Sequence, residues 1–101
     1  MPLPAYSASK AGLEALCRNT AVEGAPDVRV NVLAPGLIDT SLGRRATSLN
    51  PGRGKVHIPA RRQGSAWEVA RCAAFLLSDE ASYVTGQTLL ADGGLSVAMR
   101  T

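Results

Sequence analysis

The sequence predicts an α/β layer fold. Three observations carry that expectation. A long helical-period segment runs from Tyr6 to about Glu23, a short β-branched run from Val28 to Ala34 follows it directly, and a second helix-then-strand pair follows at 65–77 and 88–91. Strands that alternate with helices pack as a parallel sheet covered by helices, and a strand–helix–strand crossover is right-handed. The strands at 28–34 and 88–91 are therefore expected to be parallel and adjacent.

Each element has a local cause. In the first helix, Ala11, Ala15 and Val22 form one apolar stripe and Leu13, Leu16 and Cys17 another, with Glu14, Arg18 and Glu23 between them. Two stripes imply more than one packing neighbour. Pro2 and Pro4 are expected to stop the helix from extending backwards, and Gly24-Ala25-Pro26-Asp27 to end it. Val28-Arg29-Val30-Asn31-Val32-Leu33-Ala34 reads as a strand closed by Pro35-Gly36, apolar enough to be central. Residues 37–64 hold no long period; a short helix near Thr40–Ala46 is expected inside them. Ser65-Ala66-Trp67-Glu68 is a capping box that opens a helix to about Leu77, with Val69, Cys72, Ala73 and Leu76 as its stripe. Asp79–Ser82 reads as a short helical turn, and Thr88–Ala91 as a strand stopped by Asp92-Gly93-Gly94. The tail 95–101 carries no clear signal.

Composition narrows the function classes. The chain has 101 residues, 46% of them hydrophobic and 4% aromatic, with a net charge of +3. That length allows one small domain, and the charge is too weak to imply nucleic acid alone. Cys17, Cys72 and the single histidine, His57, make no metal-ligand spacing, so no metal is expected and both thiols read as reduced. No apolar run is long enough to cross a membrane, and Met1-Pro2-Leu3-Pro4 has no signal-peptide pattern. A cytoplasmic protein without membrane contact is expected. The arginine-rich set Arg44, Arg45, Arg53, Lys55, Arg61 and Arg62 fits a solvated surface and an anion-binding loop equally.

The chemistry sits at Tyr6-Ser7-Ala8-Ser9-Lys10. Tyr6 and Lys10 are four apart, which on a helix puts them on one face, one turn apart. A free phenol titrates near pH ~10. A neighbouring ammonium and the positive end of a helix dipole both favour its ionised form. Tyr6 can then give or take a proton, with Lys10 tuning it. The pair alone also fits a solvated helix face; the motifs downstream decide between the two.

Those motifs come in a definite order: Tyr6-x-x-x-Lys10, Asn31-Val32-Leu33-Ala34-Pro35-Gly36, Leu37-Ile38-Asp39-Thr40, Ser78-Asp79-Glu80-Ala81-Ser82, Thr85-Gly86-Gln87 and Asp92-Gly93-Gly94. Over nearly the whole chain this resembles the C-terminal part of a short-chain dehydrogenase/reductase, similar to 3-oxoacyl-acyl-carrier-protein reductases. The resemblance implies the C-terminal portion of a Rossmann-like doubly wound parallel sheet. It implies a fragment of an NAD(P)-dependent oxidoreductase that transfers hydride between nicotinamide and an alcohol or ketone.

It also implies roles. Tyr6 resembles the acid–base residue and Lys10 the residue that tunes it and holds the nicotinamide ribose. Pro35 and Gly36 resemble the turn under the nicotinamide, Ile38 the position whose backbone binds the carboxamide, and Thr40 a nearby cofactor contact. The stretch 37–64 resembles the substrate-binding loop, whose arginines suit an anionic substrate such as a carrier-linked acyl group. The helix from Ser65 and the strand at Thr88–Ala91 resemble the family's homo-oligomer interface. The chain holds no G-x-G-x-x-G turn for a dinucleotide, and the family's catalytic Ser and Asn have no counterpart. Residues 1–101 therefore read as a fragment lacking the N-terminal dinucleotide-binding half, inactive in isolation. The alternative is a non-enzymatic oligomerisation module derived from the same fold. A nucleic-acid binder ranks last, since 37–64 has no stacking aromatics.

Overall fold

The computed structural model describes residues 4–49 and 57–98. Its elements are α1 (Pro4–Gly24), β1 (Val32–Pro35), β2 (Ile38–Asp39), α2 (Ser41–Leu49), β3 (Gly64–Ser65), α3 (Ala66–Leu77), a 3₁₀ turn at Asp79–Ala81, β4 (Thr88–Ala91) and α4 (Leu95–Ala98). The α/β expectation holds. The chain divides into two compact units: Met1–Leu33 with Phe75–Leu89, and Ala34–Ala74 with Leu90–Thr101.

The expected strand pair forms. β1 pairs with β4. The Val32 N–H donates to the Gln87 carbonyl at 2.8 Å and the Gly36 N–H to the Ala91 carbonyl at 3.0 Å. Both partners advance together along the chain, which is the register of parallel strands. A second, two-residue pair is parallel too, with Ile38 opposite Gly64 and Asp39 opposite Ser65. The sequence carries no signal for it, because two residues are too few to show a period.

Two boundaries differ from expectation. Helix α1 begins at Pro4, not after it; proline lacks only an N–H that the first helical turn leaves unpaired in any case. Strand β1 begins at Val32, not Val28. Ahead of it, one backbone bond remains, from the Gly86 N–H to the Val30 carbonyl at 2.7 Å, and side chains supply the rest. The Thr85 hydroxyl accepts from the Val30 N–H at 3.1 Å. The Asn31 amide donates to the Val84 carbonyl at 3.0 Å while its oxygen accepts from the Gln87 N–H at 3.0 Å.

In the first unit, Cys17, Ala21 and Ala81 are buried. Arg29 binds this unit together. Its guanidinium donates to the carbonyls of Leu76 at 2.9 Å, Ser78 at 3.1 Å and Val84 at 3.3 Å. Two of these acceptors lie at the C-terminal end of α3, where helix carbonyls lack intrahelical partners. A groove of about 450 Å³ opens between Leu13, Leu16, Cys17 and Thr20 of α1 and the stretch Val30–Leu33. In the second unit, Ile58 is the buried apolar residue among those described. No helix among the described residues is long and apolar enough to cross a membrane.

Helix α3 opens as its capping box dictates. The Ser65 hydroxyl accepts from the Glu68 N–H at 3.1 Å, and Glu68 accepts from the Ser65 N–H at 2.9 Å. The short turn after α3 is capped by Ser78, whose hydroxyl accepts from the Glu80 N–H at 3.2 Å. The tail contributes α4, a single turn.

Replacing Arg29 by Met should lower unfolding stability by about 2 kcal/mol, because half-buried carbonyls lose charge-assisted bonds. Arg29→Lys should recover less than half, since one ammonium cannot span three acceptors. Urea denaturation of the three proteins checks both values.

Candidate active site

Tyr6 is the third residue of α1, where backbone N–H groups point out of the helix end. Its side chain is 59% exposed, so the phenol can reach a ligand. Lys10 follows one turn later, with its ammonium 5.3 Å from the centre of the Tyr6 ring. That is within cation–π range. The expected one-face pair is thus realised. Ser9 is exposed and donates its hydroxyl proton back to the Tyr6 carbonyl at 2.7 Å.

Pro35, Gly36, Ile38 and Thr40 belong to the second unit, Tyr6 and Lys10 to the first. Gly36 ends β1 in tight contact with the turn after β4. A Cβ placed on Gly36 would lie 2.7 Å from the Asp92 Cβ and 2.8 Å from the Asp92 Cα. Those contacts include backbone, so no other residue fits without moving the chain. An intramolecular neighbour thus supplies a structural reason for this glycine. Ile38 is half-buried in β2. Thr40 precedes α2 and caps it: its hydroxyl accepts from the Gly43 N–H at 3.0 Å, and its carbonyl from the Arg44 N–H at 2.8 Å.

A cavity of about 300 Å³ in this unit is lined by Leu37, Ile38, Arg62, Glu68, Cys72 and Asp92, among others. Arg62 grips Glu68 with two bonds of 2.7 Å. The Arg62 bond, the backbone bond from Ser65 and the nearby positive charge lower the Glu68 carboxyl to about 2. Arg44 pairs with Asp39 at 2.7 Å. Arg53 and Lys55 lie outside the described residues. Among the described cations of the basic set, Arg44 and Arg62 are matched to carboxylates, which lowers the positive field expected of that stretch. Cys17 and Cys72 are both free thiols, and no cluster of metal ligands forms among the described residues.

Residues 2–96 match the enoyl-(acyl carrier protein) reductase family. The chain belongs to the short-chain dehydrogenase/reductase family. It is 44% identical over 94 residues to the 3-oxoacyl-[acyl-carrier-protein] reductase FabG of Salmonella typhimurium, covering 89% of this chain and 37% of that protein. It is 44% identical over 95 residues to an NAD-dependent glycerol dehydrogenase of Listeria innocua, covering 92% of this chain and 37% of that one. A solved protein from Agrobacterium tumefaciens with bound NADP superposes with a TM-score of 0.84 at 38% identity, over 93% of this chain and 39% of that chain. The chain thus spans somewhat over a third of the length of the relatives it matches. The Rossmann-fold expectation is met over that span.

Asp92-Gly93-Gly94 carries in the sequence only the signal of a strand stop and a family motif; in the structure it also lines the cavity and packs against Gly36. Its contact with Gly36 joins segments far apart in the chain, and neither segment signals the other.

The Glu68 cap is expected to be pH-sensitive. Its folded carboxyl titrates at about 2 against an ordinary 4.5. A depressed carboxyl stabilises the fold above its unfolded value and loses that contribution as pH falls through the folded one. The stability gap between the wild type and Glu68→Gln should be widest above pH 4.5 and close as pH approaches 2. Both groups are exposed, so the gap will be small. Thermal melts followed by circular dichroism at stepped pH check this.

Proposed function

We propose that the chain is the C-terminal part of an NAD(P)-dependent short-chain dehydrogenase/reductase domain that interconverts an alcohol and a ketone. The observation that carries the reading is the Tyr6–Lys10 pair at the start of α1, in a chain whose residues 2–96 match the family. A nicotinamide held there would supply a hydride to the carbonyl carbon in reduction and accept one from the carbinol carbon in oxidation. Tyr6 gives its phenol proton to the carbonyl oxygen during reduction and takes it from the hydroxyl during oxidation. Lys10 keeps a positive charge beside the ring while negative charge gathers on the reacting oxygens, and it also holds the nicotinamide ribose. Pro35, Gly36, the Ile38 backbone and Thr40 would help hold the nicotinamide end of the cofactor.

The substrate is a small alcohol or ketone. The relatives span a carrier-linked 3-oxoacyl group and glycerol, and Arg45 and Arg61, exposed in the 37–64 stretch, suit an anionic group. Trp67, Phe75 and Leu90, exposed on α3 and β4, suit a homo-oligomer built through those elements. The free thiols suit a reducing cytoplasm. Residues 1–101 contain no Gly-rich turn for the pyrophosphate, so the chain alone should show neither NAD(H) nor NADP(H) binding in a fluorescence titration. The same exposed faces favour the second reading, an assembly module without catalysis.

Tyr6→Phe in the full-length reductase keeps the ring and removes the proton. Turnover should fall at least ~100-fold with cofactor affinity nearly unchanged. Lys10→Met should lose turnover and weaken cofactor binding as well. A Tyr6→Phe enzyme that turns over at the wild-type rate would remove the acid–base role from Tyr6.

A further inference from the structure

The turn at Asp92-Gly93-Gly94 touches two segments at once, all within the second unit. The first is the Pro35–Gly36 turn. The Gly36 N–H donates to the Ala91 carbonyl at 3.0 Å, and its Cα faces Asp92 with no room for a side chain. The second is Ile58-Pro59-Ala60. The Ala60 N–H donates to the Gly93 carbonyl at 3.0 Å. A Cβ on Gly93 would lie 2.9 Å from the Ile58 Cγ2 and 3.0 Å from the Ala60 Cβ, and Gly93 has a φ of +64°. Ile58 itself is buried. Asp92 fixes the turn from within: its carboxylate accepts from the Gly94 N–H and the Ser96 N–H, each at 3.0 Å. The Ser96 bond leads the causes that hold this carboxyl below its usual range.

We propose that Asp92-Gly93-Gly94 is a positioning turn that sets the nicotinamide side, through Gly36, and the substrate side, through Ile58–Ala60, in one register. The inference rests on the Pro35–Gly36 and 37–64 assignments proposed above. Close-packed contacts do not give gradually. A shift of the turn therefore moves both segments, and the affinities for cofactor and carbonyl substrate change together. Tyr6 lies on a different element, so proton transfer in the bound complex is touched less.

The test uses the full-length reductase. Gly93→Ala puts a methyl against Ile58 and Ala60. Asp92→Asn keeps one acceptor oxygen and is the milder variant, which decides the matter if the first does not fold. The cofactor dissociation constant and the substrate KM should each rise about tenfold in Gly93→Ala and about threefold in Asp92→Asn, with kcat within about threefold of wild type. The Gly36 and Ala60 amides should lose hydrogen-exchange protection together. A purely structural role would lower the fraction of active enzyme, seen as a fall in kcat with both constants unchanged, and that result overturns the proposal. So does a rise in one constant without the other. Tyr6→Phe separates the levels: if it is inactive while both turn variants bind normally, only the positioning role falls. If Tyr6→Phe is fully active, the active-site reading falls and the positioning role with it.

Discussion

The parallel contact of β1 with β4 is the constraint on which the rest depends. It joins segments separated by 55 positions, as the Val30–Thr85 bond shows. Closing so long a loop costs chain entropy, and a two-stranded pair is weak by itself. The structure therefore surrounds the contact with bonds that are not strand ladder. Arg29 reaches three carbonyls and Asn31 uses both ends of its amide. With these in place, β1 delivers Pro35 and Gly36 to the end of β4.

Charge is handled locally in the same economical way. The chain is basic overall, with a net charge of +3. Yet Arg29 is spent on backbone carbonyls, Arg44 on Asp39 and Arg62 on Glu68. The surface field is smaller than a count of arginines suggests. Exposed pairs of this kind add little stability; the starts of α2 and α3 are held by the Thr40 cap and the Ser65/Glu68 box.

The sequence is legible where a signal is local. The period of α1, the Ser65/Glu68 box, the turn at Asp79 and strand β4 all arise from residues close together in the chain, and each forms. Tyr6 and Lys10 are legible for the same reason, because four-residue spacing is a helical property. The role proposed for them is readable only through the order of the motifs that follow. The unreadable part is long-range. Strand β1 starts late because Thr85 and Asn31 side chains share the pairing ahead of it with a single backbone bond. The β2–β3 pair is two residues long. The fit of Gly36 to Asp92 is a meeting of surfaces that no local pattern encodes.

The composition of the interior has a calorimetric consequence. Among the described residues the buried apolar set is Cys17, Ala21, Ile58 and Ala81, mostly small side chains. The heat-capacity change of unfolding and the steepness of a denaturant transition both scale with the apolar surface newly exposed to water. With Trp67 at 74% and Leu77 at 85% exposed before unfolding begins, little of that surface remains to be uncovered. The chain by itself will melt over a broad range with a small heat-capacity step, and covering those faces will sharpen the transition.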